Sequence, residues 1–225
     1  MKKSLLPILF YCQLASAQTG LWLDAGMTKK WNKSFKTSFE LGYRQNLGVG
    51  FDRLYIDVGT TFQVLDGIKI AGTYRLVSNE KGDQFTLQTD RLSQRFQIGT
   101  DISILDAFDF GPKRLDLSWS STQQWSIQTG KQMSSIWRNK LSLSYDIKNF
   151  PLSPQISAEH FYRWNANVVY TPTEVLVSGA TVQWRYFVGV DIELPKKQSL
   201  KFQVGLRERS SGIQPLTRLS YSRQL

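Results

Sequence analysis

One cysteine, one histidine and no long apolar run: these scarcities narrow the options for a chain of 225 residues. Cys12 sits in an N-terminal stretch that reads as a secretory leader. Lys2 and Lys3 are its basic start, Leu5 to Leu14 its apolar core, and Ala15-Ser16-Ala17 a small-x-small cleavage site. Residues 1–17 are therefore expected to be removed, leaving 18–225 as one domain. Phe10-Tyr11 before Cys12 does not suit a lipoprotein signal, and without Cys12 the mature chain has no thiol. Disulfides, thiol nucleophiles and cysteine metal sites are thereby excluded, although an exported chain would permit disulfides. With His160 as the only histidine, the remaining metal donors are carboxylates, and these alternate with basic residues instead of clustering. No glycine-rich phosphate loop is present. No cofactor or metal is expected.

Also missing is any apolar stretch of about 18 residues, so a transmembrane helix is not expected. Clustered positive charge is missing too. Removing Lys2 and Lys3 from the 28 basic residues leaves 26 against 18 acidic ones, a balance of +8. Yet the basic residues are scattered singly or in pairs along the chain, which does not suit a nucleic-acid face.

What the chain does have is period-two alternation. Phe35, Thr37, Phe39, Leu41 and Tyr43 alternate with Lys36, Ser38, Glu40, Gly42 and Arg44. Leu54 to Val64 repeats the pattern up to Asp66-Gly67, a strong hairpin signal, and Ile68 to Leu76 follows. Further alternating segments begin near Leu21, Leu92, Leu115, Trp137, Gln155, Val182, Leu200 and Thr217, the last of them weakly patterned. Strand length separates the alternatives. These runs span about 10 to 14 residues, whereas globular strands average about 5 to 6 and a tilted membrane-crossing strand needs about 9 to 11. Short connections near Lys29–Lys33, Leu65–Gly67, Asp106–Pro112, Lys148–Pro151 and Leu194–Lys197 alternate with longer or more polar ones. The latter lie near Asn46–Arg53, Ser78–Asp90, Gln128–Ser135, Asn165–Gly179 and Ser210–Gln214. This is the rhythm of an outer-membrane barrel. Trp22, Trp31, Tyr43, Trp125, Trp137, Trp164 and Tyr170 fall near strand ends, as an interfacial girdle would require. The expected fold is an all-β, transmembrane, antiparallel up-and-down barrel in the bacterial outer membrane. Eleven segments are countable. Because bacterial barrels are even-numbered, ten or twelve strands are expected, the uncertain stretch being Asn165–Gly179.

Several segments resemble a known family. Gln18-Thr19-Gly20-Leu21-Trp22-Leu23, Glu40-Leu41-Gly42-Tyr43-Arg44, Gly72-Thr73-Tyr74-Arg75 and Ser157-Ala158-Glu159-His160-Phe161 are similar to the outer-membrane β-barrel family catalogued as domain of unknown function 2490, of Bacteroidota type. The ending Tyr221-Ser222-Arg223-Gln224-Leu225 departs from the aromatic last residue common in such barrels. The resemblance implies a fold and no activity.

Parity assigns an interior. Its basic set includes Lys36, Arg44, Lys69, Arg75, Arg91, Arg95, Arg138, Lys140, Arg163, Arg185, Lys201 and Arg207. Its acids include Asp24, Glu40, Asp57, Asp101, Asp116, Asp146, Glu159 and Asp191, and Phe161 and Phe187 would help to fill it. Two arrangements satisfy this inventory. One is a narrow, porin-like pore or binding barrel for small polar or anionic solutes. The other is a closed structural or interaction barrel cross-linked by arginine–carboxylate pairs. A lipid-modifying enzyme is a distant third. His160 shares the parity of Ile156 and Ala158, and no serine stands at a spacing that suggests a pair, so it reads as a boundary residue and no enzyme is expected. The expected partners are outer-membrane lipid, the barrel assembly machinery during biogenesis and a small polar or anionic solute, with no nucleic acid.

Overall fold

The structure, a computed structural model, describes residues 20–46, 51–81, 92–107, 114–128, 133–170 and 175–225. The leader over 1–17 and the interior candidate Arg91 lie outside the described residues.

Eleven strands close on themselves in sequence order. They are β1 (Gly20–Lys30), β2 (Phe35–Asn46), β3 (Phe51–Leu65), β4 (Ile68–Lys81), β5 (Leu92–Ser103), β6 (Leu115–Gln128), β7 (Ser134–Tyr145), β8 (Leu152–Tyr170), β9 (Val175–Leu194), β10 (Gln198–Arg209) and β11 (Gly212–Gln224), with one helical turn, α1 (Ile104–Ala107), after β5. The count read from the pattern is thus the count observed, and the expected even number is corrected. The consequence is geometric. Each connection reverses the chain, so with an odd number of strands the first and last run the same way. β1 and β11 accordingly pair in parallel, from Gly20 opposite Leu216 to Thr28 opposite Gln224, while every other pair is antiparallel. Parallel pairing is slightly weaker per residue, which makes this seam the place where side chains have most to contribute.

Local chemistry sets the turns. Asp66 and Gly67 form the β3–β4 turn, with Gly67 at φ 75° and a register slip between Gln63 and Leu65, the pattern of a hairpin with a glycine bulge. Asn32 Oδ1 accepts from the Ser34 and Phe35 amides and fixes the β1–β2 turn. Lys196 and Lys197 carry the β9–β10 turn at φ 59° and 57°.

Two connections differ from the sequence reading. Asn165–Gly179 is largely strand: β8 and β9 continue as a two-stranded arm, paired from Asn167 opposite Ser178 to Tyr170 opposite Val175. Val168, Val169 and Val175 to Val177 therefore lengthen two strands instead of making a twelfth. Ser210–Gln214 is a tight turn, because β10 and β11 pair up to Arg209 opposite Gly212.

The faces sort as parity predicts, and the sorting is inverted relative to a water-soluble protein. Large apolar side chains stand exposed on the outside of all eleven strands, among them Leu23, Phe39, Val58 at 53%, Ile98 at 59% and Val188 at 59%. The interior instead buries Tyr55 at 1%, Glu159 at 2% and Asp24 at 7%, with Trp22, Phe187 and Leu216 forming a small apolar cluster. Trp22 is therefore an interior residue and not part of a girdle; on β1 it takes the parity of Asp24. Asp146, expected inside, follows the end of β7 and is exposed.

Glycine admits two of the interior rings. Tyr55 lies opposite Gly42, where an added Cβ would stand 2.0 Å from the ring, and Phe187 lies opposite Gly205, where a Cβ would stand 2.6 Å from the ring. Each ring fills the space its partner's missing side chain leaves.

Candidate functional site

An interior of eleven strands is intermediate between barrels that side chains fill and those that leave a channel. Here one side is filled by the Trp22–Phe187–Leu216 cluster, and the rest leaves a partly open cavity of about 340 Å³. Of the interior candidates, Arg44, Arg75, Arg95, Arg138, Arg185, Glu40, Asp57, Asp101 and Glu159 line it, and Arg218 joins them.

Cross-strand register builds the ion pairs. Asp57 stands opposite Arg75, and the two make a bidentate pair with Nε–Oδ1 and Nη2–Oδ2 distances of 2.5 Å. Glu159 on β8 lies between the strands of two arginines. It accepts from Arg138 Nη2 at 2.6 Å and from Arg185 Nη1 at 3.4 Å. Across the parallel seam Asp24 Oδ2 accepts from Arg218 Nε at 2.7 Å and from Ser220 Oγ at 3.2 Å. Tyr55 Oη lies 2.5 Å from Asp24 Oδ1 and 2.8 Å from Glu40 Oε1, so its single proton serves one carboxylate at a time. Lower in the barrel, Lys201 and Asp191 make a more exposed pair at 3.3 Å.

Aromatic rings space the guanidiniums. Arg44 lies over Trp22 and Tyr55 at 4.4 and 4.9 Å, Arg75 over Tyr55 at 3.8 Å, and Arg185 over Phe161 and Trp22 at 4.2 and 4.9 Å. Such stacking holds a planar cation without neutralising it. Arg44 and Arg95 form no ion pair among the described residues. Arg95 Nε is held by Ser126 Oγ at 2.9 Å, and Arg44 Nε is buried with no hydrogen-bond partner.

Three further candidates stand apart from the cavity lining. Lys140 faces Glu159 in register, Arg163 has its Nε buried near the upper end of β8, and Arg207 bonds Gln214. Sequence reasoning missed Arg218 because β11 mixes Thr217, Leu219, Tyr221 and Arg223 on its outer parity, which blurs the alternation. Tyr55 falls on the inward parity of β3, but nothing local shows that Gly42 stands beneath its ring.

His160 faces outward. Its ring packs 4.4 Å from Trp184, and Nε2 lies 3.1 Å from Thr181 Oγ1. Around it is an aromatic band on the outer face of β7–β9. Trp137 stacks on Trp164 at 5.9 Å, Tyr162 meets Trp164 edge-on, and Trp184 stacks on Tyr186 at 6.2 Å. Trp137 Nε1 donates to Ser121 Oγ and Trp164 Nε1 to Gln123 Oε1, so these rings have one apolar body and one satisfied polar edge.

Fold and interior together define a class: a closed up-and-down β-barrel with an apolar outside and a charged inside. The family described as "Protein of unknown function (DUF2490)" matches residues 19–211, and the chain belongs to that family. No curated protein matches the sequence.

Proposed function

We infer that the protein is an outer-membrane barrel whose arginine-lined interior admits small polar or anionic solutes, as a narrow pore or a binding barrel. The observation that carries this reading is the pair of faces. An exposed apolar band running round all eleven strands is costly in water and favourable in hydrocarbon, and the aromatic band with polar edges suits a lipid–water boundary. Inside, guanidiniums outnumber the carboxylates that line the same cavity, which favours anions. Membrane lipid would be the outer contact, and the barrel assembly machinery would handle insertion.

A second reading, a closed barrel that acts through partners, draws on the Trp22–Phe187–Leu216 cluster and the ion pairs of Asp24, Asp57 and Glu159, which occupy part of the interior. A lipid-modifying enzyme is the least supported, since the hydrogen-bond partner of His160 is a threonine hydroxyl. Cell fractionation together with current recordings from the refolded protein in planar bilayers separates these readings. Outer-membrane recovery and discrete current steps are expected. A folded protein that carries no current overturns the pore and leaves the binding or closed barrel, and recovery in a soluble fraction overturns the membrane assignment.

A further inference from the structure

The geometry points to a specific site within this interior: Arg44 and Arg95 together bind a compact oxyanion of the phosphate type. The inference rests on the solute-admitting reading above and narrows its ligand. Tyr55 is the pivot. Arg44 and Arg75 both lie over its ring, at 4.9 and 3.8 Å, and Arg75 faces Arg95 in the β4–β5 register. Three guanidiniums thus share one stretch of wall, and among the described residues the one ion pair they make is that of Arg75 with Asp57. Like charges so close in a partly enclosed space repel, and an anion between them relieves that repulsion.

The two unpaired groups are preorganised for such a ligand. Stacking on Trp22 and Tyr55 fixes the plane of Arg44, which lines the cavity and forms no ion pair among the described residues. Ser126 anchors Arg95 by its Nε, and Arg95 lines the cavity. Guanidinium forks suit oxyanions because they donate two parallel charge-assisted hydrogen bonds. Thr73, Thr122 and Gln97 add neutral polar groups on neighbouring strands, so a ligand with several acceptor oxygens is matched better than a halide. The cavity of about 340 Å³ corresponds to on the order of ten water molecules, enough for a small oxyanion with part of its hydration shell. Glu40 and Asp101 also line the cavity and would oppose an anion placed beside them. Tyr55 donates to Glu40, and Arg75 takes up Asp57, the other carboxylate on this wall, so both carboxylates are already engaged while Arg44 and Arg95 form no ion pair among the described residues.

Isothermal titration of the refolded protein in detergent with inorganic phosphate, at constant ionic strength, tests this. Saturable binding to one site is expected, competed by sulfate and at least ~10-fold weaker for chloride. Arg95→Gln and Arg44→Gln should each weaken phosphate binding by about 10-fold or more, the usual scale for a lost charge-assisted bond. Lys197→Gln in the exposed β9–β10 turn should leave it unchanged. If Arg44→Gln does not refold, Arg95→Lys, which keeps the charge and loses the fork, should still weaken it. Absence of saturable phosphate binding by a folded protein overturns the site, as does equal binding of chloride or wild-type affinity in Arg95→Gln. Bilayer recordings in phosphate-free chloride separate the two ideas. Anion-selective current without phosphate binding sinks the site alone. Phosphate binding without current sinks the pore and keeps the site.

Discussion

Replacing Asp24 with alanine should open the barrel at its parallel seam. Asp24 is 7% exposed, and its two oxygens engage Arg218 and Ser220 on β11 and Tyr55 on β3. At 2.7 Å and an effective dielectric of about 20, the gross attraction between Asp24 and Arg218 is about 6 kcal/mol, offset by the desolvation of both groups. Removing one partner from such a pair leaves a buried charge uncompensated, and the expected loss is about 3–5 kcal/mol. The Lys201–Asp191 pair gives the contrast. Its side chains are 33% and 31% exposed, so Asp191→Ala should cost under about 1 kcal/mol. Urea unfolding of the refolded protein in lipid vesicles, followed by the shift between folded and unfolded mobility on unheated gels, gives both values. If Asp24→Ala falls within about 0.5 kcal/mol of Asp191→Ala, the reasoning that side chains secure a weak seam is refuted.

Three other outcomes follow from the same geometry. Gly42→Ala should displace the Tyr55 ring and cost about 1–3 kcal/mol by overpacking, whereas Gly72→Ala, whose nearest neighbour would be 3.8 Å away, should cost far less in the same unfolding assay. Val58→Arg and Ile98→Arg place a charge on the exposed apolar band and should each destabilise the protein in lipid by about 2–4 kcal/mol; a change below about 0.5 kcal/mol would contradict a lipid-facing surface. His160→Ala should leave any lipid hydrolysis by the purified protein at background, equal to the unmutated chain, and a loss of measurable activity would revive the enzyme reading.

The sequence was most legible where one face is purely apolar. On β2, β3 and β7 the outward stripe is nearly unbroken, so parity assigned Arg44, Asp57 and Arg138 to the interior, where they lie. It failed where the stripe is mixed. Arg218 was lost because the outer face of β11 mixes apolar residues with Thr217 and Arg223, and Trp22 was drawn to the girdle by its residue type although its parity matches that of Asp24. Register lies beyond any single-strand pattern. That Glu159 reaches both Arg138 and Arg185, or that Tyr55 covers Gly42, depends on which residues stand opposite one another across the sheet. The strand count shows the opposite lesson. The alternation supported eleven strands, and the rule of even numbers argued against them; parallel pairing of β1 with β11 accommodates the odd count.

The central claim is that small anions enter an interior governed by unpaired arginines. The reversal potential of the refolded protein across a planar bilayer, in a tenfold potassium chloride gradient, tests it most directly. The account predicts a potential of the sign set by anion selectivity, moving toward zero or reversing in Arg95→Glu. A cation-selective potential, or an anion-selective one that Arg95→Glu leaves unmoved, would contradict it.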